Sequence, residues 1–216
     1  FLQFSQHNKS LEQYVIATMK TAVAIIVFFV CYACKPFQPN NEQLQSETQQ
    51  RTASPDMPLG EIMDSLKLDK TQTRIYIDKS ERVLKLFANN QLLKTYPVVL
   101  GGNPVDDKLQ QGDNCTPEGK FAIRDLYPHK SWDKFIWVNY PTEASYVKHN
   151  DAKKQGRINH NAEIGGEIGI HGVPEGKDEW IDNNEDWTAG CISLKNEHIR
   201  EIFASVQTGT QIEIVQ

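Results

Sequence analysis

The sequence predicts a mainly β protein, a β-rich sandwich carrying a few small helices. Three observations support that class. After residue 70 most of the chain consists of short runs that alternate apolar and polar residues, as half-buried strands do. Turn formers such as Asn89-Asn90, Gly101-Gly102 and Pro117-Glu118-Gly119 separate those runs. Only three short segments read as helices.

Along the chain, Leu59, Ile62, Met63 and Leu66 fall at helical spacing and predict a short lead-in helix. The folded domain is expected to start near Thr71. Residues 74–78 and 82–87 alternate as strands, and paired Asn89-Asn90 tolerates the positive φ of a tight turn. Residues 91–100 then complete a hairpin that Gly101-Gly102 stops. Residues 120–124 and 135–138 are further strands, the second closed near the cleft by Tyr140-Pro141. Residues 144–154 read as a surface helix, and 168–171 as a strand. Ile192 and Leu194 continue as a strand, after which Asn196 is expected to cap a helix. Ile199, Ile202, Phe203 and Val206 share one face of that helix, and residues 212–215 form the last strand.

Upstream, Met19-Lys20 precedes an apolar run over residues 22–30 and then Cys31-Tyr-Ala-Cys34. A charged start, an apolar centre and a small-residue exit are the marks of an export signal. The run falls short of the roughly 20 apolar residues that span a bilayer. Met19 is expected to be the biological start, with residues 1–18 an upstream extension and 19–34 the signal. Ala33-Cys34 further resembles a lipoprotein signal, which predicts membrane attachment through a lipidated Cys34; an ordinary cleaved signal is the alternative. Residues 35–56 are rich in Gln, Asn, Ser, Thr and Pro and read as a tether. The linker is therefore placed at 35–70, including the short helix, and the folded domain at 71–216. The expected location is the cell envelope or periplasm.

The composition, 39% hydrophobic and 24% charged residues, is that of an ordinary globular domain. A net charge of -5 gives no basic footprint, so no nucleic-acid partner is expected. His129, His149, His160 and His198 read as surface residues. None has the paired spacing of metal ligands, so no metal and no other cofactor is expected.

The chemistry lies in two glycine-rich segments, Ile168-Gly-Ile-His171-Gly172 and Asp186-Trp-Thr-Ala-Gly-Cys191-Ile-Ser193. Only a few per cent of a thiol with pKa near ~8.5 is thiolate at neutral pH, so a nucleophilic cysteine needs a nearby base. His171 supplies one. Gly190 lets backbone approach a substrate carbonyl, so N–H groups around Cys191 become candidates for holding an oxyanion. This pattern predicts a cysteine acyl-transfer enzyme. Cys115 and Cys191 are expected to be free thiols, because a disulfide would remove the nucleophile.

These pieces, with Asp113-Asn-Cys-Thr-Pro-Glu-Gly119, resemble in order the L,D-transpeptidases with a YkuD-type catalytic domain, over roughly residues 72–215. The resemblance implies a β-sandwich-like fold and action on peptidoglycan stem peptides. It assigns Cys191 as nucleophile, His171 as proton acceptor and donor, and Gly190 as the glycine before the nucleophile. Gly172, Asp186 and Thr188 are candidate supporting residues. A backbone carbonyl is the partner the family implies for His171, with Asp186 as the alternative. Many members carry Ser-His-Gly-Cys; here Ala189 replaces the second histidine, and Ser193 an arginine. The Asp-Trp-Thr-x-Gly-Cys form resembles a branch that includes murein-lipoprotein amidases.

The implied reaction is acyl transfer at the L-centre of diaminopimelate, forming crosslinks or exchanging the terminal D-amino acid. Hydrolysis by an amidase or carboxypeptidase is the alternative, and a non-catalytic wall-binding lipoprotein the rival of another class. A monomer is expected. Trp180 and Trp187 read as stacking, lid or core residues, His160 and Asn161 as surface loop, and residues 178–186 as a solvated acidic lid that attracts a substrate ammonium.

Overall fold

The computed structural model describes residues 57–216; the extension, signal, Cys34 and tether expectations lie outside the described residues. The fold is mainly β, one eight-stranded sheet in the order β3-β2-β1-β8-β4-β5-β6-β7. β1 (Thr73–Asp78), β2 (Val83–Ala88) and β3 (Gln91–Pro97) form an antiparallel meander. Their alternation buries Ile75, Ile77, Leu84 and Leu86 on one face. The β2–β3 turn uses Asn89 and Asn90 at φ 48° and 65°, the positive values a two-residue hairpin needs.

β4 (Gly119–His129) is the corner of the sheet. Its first residues pair with β8 (Gln211–Val215), and beyond an irregularity at Ile123/Asp125 it pairs with β5 (Asp133–Val138). β8 lies parallel to β1. β5 continues antiparallel to β6 (Gly169–Gly172), which runs parallel to β7 (Ile192–Leu194). The two ends of the sheet then meet: Val99 and Ser193 exchange N–H···O bonds of 3.0 and 2.9 Å. The expected sandwich is thus a sheet folded at β4 and nearly closed into a barrel.

The elements depart from expectation in several places. The hairpin strand ends at Pro97, not Leu100, because Val99 leaves β2 to close the seam with β7. β4 runs well past residue 124, through a polar, proline-containing stretch that lacks alternating apolar character. The lead-in helix α1 (Leu59–Ser65) buries Leu59, Ile62 and Met63 in the main core, so it belongs to the fold and not to a linker. α2 (Glu143–Lys154) is the expected surface helix, closed by a reciprocal Thr142/Ser145 cap. A short helix α3 covers Glu179–Asp182. α4 (Asn196–Ser205) buries Ile199 and Ile202 against the sheet. Asn196 is its first residue and not its cap; the Asp178 carboxylate accepts the Asn196 N–H instead, at 2.9 Å.

Candidate active site

Cys191 immediately precedes β7, and His171 sits on the neighbouring parallel strand β6. His171 pairs in register with Ser193, two residues beyond Cys191. Side chains two apart on extended chain share a face, so Cys191 and His171 emerge on the same side of adjacent strands. Both line one cleft of about 790 Å³. Gly169 on β6 donates its N–H to the Cys191 sulfur at 3.3 Å, and the thiol lies 3.5 Å from the Glu167 carbonyl that accepts from it.

The turn that carries Cys191 is fixed by its neighbours. Thr188 donates its hydroxyl to the Cys191 carbonyl at 2.7 Å and accepts the Gly190 N–H at 3.2 Å. Gly190 has φ 129°, and a Cβ there would lie 2.6 Å from the Cys115 carbonyl oxygen, so only glycine fits. The Cys191 N–H has no hydrogen-bond partner among the described residues, whereas that of Gly190 is engaged by Thr188. Of the two expected oxyanion donors, the Cys191 N–H is thus the one left unengaged among the described residues, and Gly190 allows the close backbone approach.

His171 is 2% exposed and enclosed by rings. Trp132 stacks on it at 4.5 Å between centroids, Phe135 lies near-parallel at 5.8 Å, and Trp187 meets it edge-on at 5.5 Å. Its Nδ1 lies 2.7 Å from the Gly172 carbonyl. A carbonyl only accepts, so Nδ1 carries the proton and Nε2 is the basic nitrogen. Gly172 itself is hemmed in, because a Cβ there would meet Asn196 Oδ1 at 2.1 Å. Burial pushes the His171 pKa down to about 4, against the pull of the Gly172 carbonyl. Burial likewise pushes the Cys191 thiol up to about 11, opposed by the Gly169 N–H and the Lys108 charge. At neutral pH the cleft holds a thiol, directed to the Glu167 carbonyl, and a neutral imidazole.

Asp186 does not orient His171. It forms a two-point ion pair with Arg82, both bonds 2.6 Å, and accepts the Leu100 N–H at 2.8 Å. All its short-range capacity goes to tying the Cys191 loop to β2 and the seam. The remaining acidic stretch is anchored too: Asp182 pairs with Lys195 at 2.7 Å, and Ile181 is buried with Val99, Val173 and Trp187. The cleft-lining acids are Glu163 and Glu167, and none of residues 178–186 lines it. His149 and His198 are not surface residues. His149 is buried with Nδ1 2.6 Å from the Leu109 carbonyl, and His198 is half-buried against Tyr96. His160 and Asn161 are exposed loop residues.

Cys115 and Cys191 are both free thiols. Cys115 is buried, with its pKa pushed up to about 11 by burial and by Asp113, and it packs beneath the Gly190 turn. Ser193, where many members carry an arginine, is fully buried, and its hydroxyl donates to the Gly172 carbonyl at 3.4 Å.

Residues 72–214 match the family model of the L,D-transpeptidase catalytic domain, YkuD. This chain belongs to the L,D-transpeptidase catalytic-domain family. No curated protein sequence matches it. Among solved structures it is similar to the helical cell shape determining protein Pgp2 of Campylobacter jejuni, at 20% identity and TM-score 0.50, over 76% of this chain and 55% of that one. It is also similar to Bd1075 of Bdellovibrio bacteriovorus (21% identity, TM-score 0.47, 67% of this chain and 48% of that one). An L,D-transpeptidase from Mycobacterium smegmatis aligns at 13% identity and TM-score 0.45, over 67% of this chain and 59% of that one. The chain thus spans about half to three-fifths of the length of those proteins.

Three parts of this cleft are absent from the sequence expectation. Trp132, at the tip of the β4–β5 hairpin, stacks on His171 although nothing in its local sequence separates it from a turn residue. The loop Glu163–Glu167 forms one wall, supported by the Tyr140 hydroxyl donating to the Ile164 carbonyl at 3.3 Å. Lys108, Gln111 and Gly112 add to the lining from the loop before the Asp113 motif. Of these, only the last had a signal, its closeness to the Asp113–Gly119 motif.

Proposed function

We propose that this protein is a peptidoglycan L,D-transpeptidase that acts at the L-centre of diaminopimelate in stem peptides. The observation that carries the reading is the pairing of Cys191 and a neutral, tautomerically fixed His171 on one face of adjacent strands in one cleft. As the Cys191 sulfur attacks the carbonyl, its proton passes to His171 Nε2, and the Cys191 N–H donates to the oxyanion that forms. The C–N bond then breaks, His171 protonates the departing D-amino acid, and a thioester remains. An amine of a second stem attacks the thioester, gives its proton to His171 and releases the thiol. The thiolate–imidazolium pair lies uphill of the neutral pair here, so proton transfer accompanies attack.

The test is product analysis with purified tetrapeptide muropeptides beside a Cys191→Ala control. Crosslinked dimers or exchanged termini that vanish in the control support transfer. Released tripeptides alone point to the second reading, a carboxypeptidase or amidase. That reading is favoured by Ala189, which stands exposed in the cleft where other members carry a histidine. No turnover and no carbapenem adduct on Cys191 would leave a wall-binding module. The substrate lies outside the cytoplasmic membrane, so we place this protein in the envelope as a monomer, exported by residues 19–34 and anchored through lipidated Cys34. Labelled palmitate incorporation that persists in a Cys34→Ala variant would refute the anchor.

A further inference from the structure

Lys108 carries a formal positive charge inside the cleft, where the other charged lining side chains, apart from the neutral His171, are the acids Glu163 and Glu167. Its side chain is buried, with 3% of its surface accessible. An ammonium has three N–H donors. Two are engaged, by the Asp113 carboxylate at 2.8 Å and the Gln110 carbonyl at 3.1 Å, and the third has no partner among the described residues. Asp113 does not cancel that charge toward an incoming anion. Its oxygens also accept the N–H groups of Leu109, Gln110 and Cys115, at 2.7, 2.8 and 3.1 Å. Burial alone would raise the Asp113 pKa; the Gln110 N–H, the Lys108 ammonium and the other N–H groups overcome it and hold the carboxyl below the usual range.

The loop that presents Lys108 is rigidly held. Lys79, fully buried, donates to the Asp106 carbonyl at 2.9 Å and to Glu118 at 2.7 Å. From α2, Lys148 donates to the Glu118 carbonyl at 2.8 Å, and His149 binds the Leu109 carbonyl. Gln111 N–H donates to the Glu163 carbonyl at 2.8 Å, joining this loop to the opposite wall. A buried cation on so many supports is pre-organised for an anion, since little remains to be ordered on binding. Its charge is also felt at the nucleophile, where it draws the Cys191 thiol down against burial.

We propose that Lys108 is a specificity-determining residue that binds the free α-carboxylate of the amino acid leaving the donor stem. The proposal rests on the transpeptidase reading and deepens it. In such a donor the α-carboxylate stands three bonds beyond the carbonyl that Cys191 attacks, within about 4 Å of that carbon. A cation beside the nucleophile is where that group must lie. The cleft then takes stems that end in an unblocked amino acid and rejects those whose leaving amine lacks an adjacent carboxylate, including a lysine side chain of a linked protein.

The experiment compares kcat/KM for two synthetic donors, a tetrapeptide stem ending in D-alanine and the same stem ending in D-alaninamide. A charge-assisted hydrogen bond predicts that the acid is preferred by about tenfold to a hundredfold in the unaltered protein. In Lys108→Met that ratio falls toward one. The double variant Lys108→Met, Asp113→Asn leaves no lone buried charge and gives the same reading where the single variant fails to fold. Equal turnover of the two donors by the unaltered protein overturns the proposal alone, as does a preference that survives in a folded variant. Absence of turnover on either donor sinks the transpeptidase reading, and this proposal with it.

Discussion

At the scale of the residue, the site is governed by the burial of one imidazole. His171 is kept neutral by its surroundings, so its basic form persists down to a pH near 4 instead of the usual 6.5. The acid limb of kcat/KM, which reports the free enzyme, is therefore expected near 4. Trp132→Leu removes the ring stacked on His171 and admits water, which lets the pKa climb toward 6.5. The acid limb should move up with it, a change that a purely structural lesion would not produce; a pH–rate profile that falls uniformly without moving refutes this role. The same burial has a consequence for stability. As pH falls from about 6.5 to 4 the unfolded chain binds a proton that the folded chain refuses, so stability declines in that window. The loss amounts to about 3 kcal/mol from this group and should be absent in His171→Gln, as acid titrations of the urea midpoint would reveal.

At the scale of the element, the Cys191 turn is held from below by Cys115 and from the side by Asp186 and Thr188. Gly190→Ala places a Cβ against the Cys115 carbonyl and demands a left-handed φ, so the turn must shift. The expected result is a drop of about a hundredfold or more in Cys191 acylation by a carbapenem, followed by intact mass. Asp186→Asn acts differently. It breaks the two-point pair with Arg82 and is expected to cost about 1–3 kcal/mol of stability while the acid limb stays in place. A shifted limb would restore Asp186 as the partner of His171. The sequence made much of this level legible, because alternation marks β1 and β2, and glycines beside Cys191 and His171 mark tight backbone. What it left hidden depends on tertiary placement. Asp186 looks like a third catalytic group until Arg82, far away in sequence, claims both its oxygens. Trp132 looks like a turn residue until the hairpin folds over β6. The end of β4 escapes because Asp125, Pro128 and His129 lack the alternation of a half-buried strand.

At the scale of the whole molecule, the cleft depends on a sheet that closes on itself and on a core that extends beyond the sheet. The Val99–Ser193 seam lies two residues from Cys191, so β7 is an edge strand only until the chain after β3 covers it. α1 completes the other end. Leu59, Ile62 and Met63 are buried with α4, and the Leu59 N–H donates to Glu201, which also accepts Lys94 at 2.8 Å and the Tyr96 hydroxyl at 2.8 Å. α4 in turn packs on β5 and β6, the strand that bears His171. Removing α1 thus exposes the back of the element that supports His171. Each of its three buried side chains contributes about 1.5–3 kcal/mol, a large part of the 5–15 kcal/mol that holds a typical domain folded. A chain beginning at residue 57 is expected to match the full-length protein in urea unfolding. A chain beginning at residue 69 is expected to unfold at much lower urea, with Cys191 losing carbapenem reactivity over the same transition. If the shorter chain keeps its midpoint, α1 is an appendage on a core that ends at the sheet, and the folded unit begins at β1.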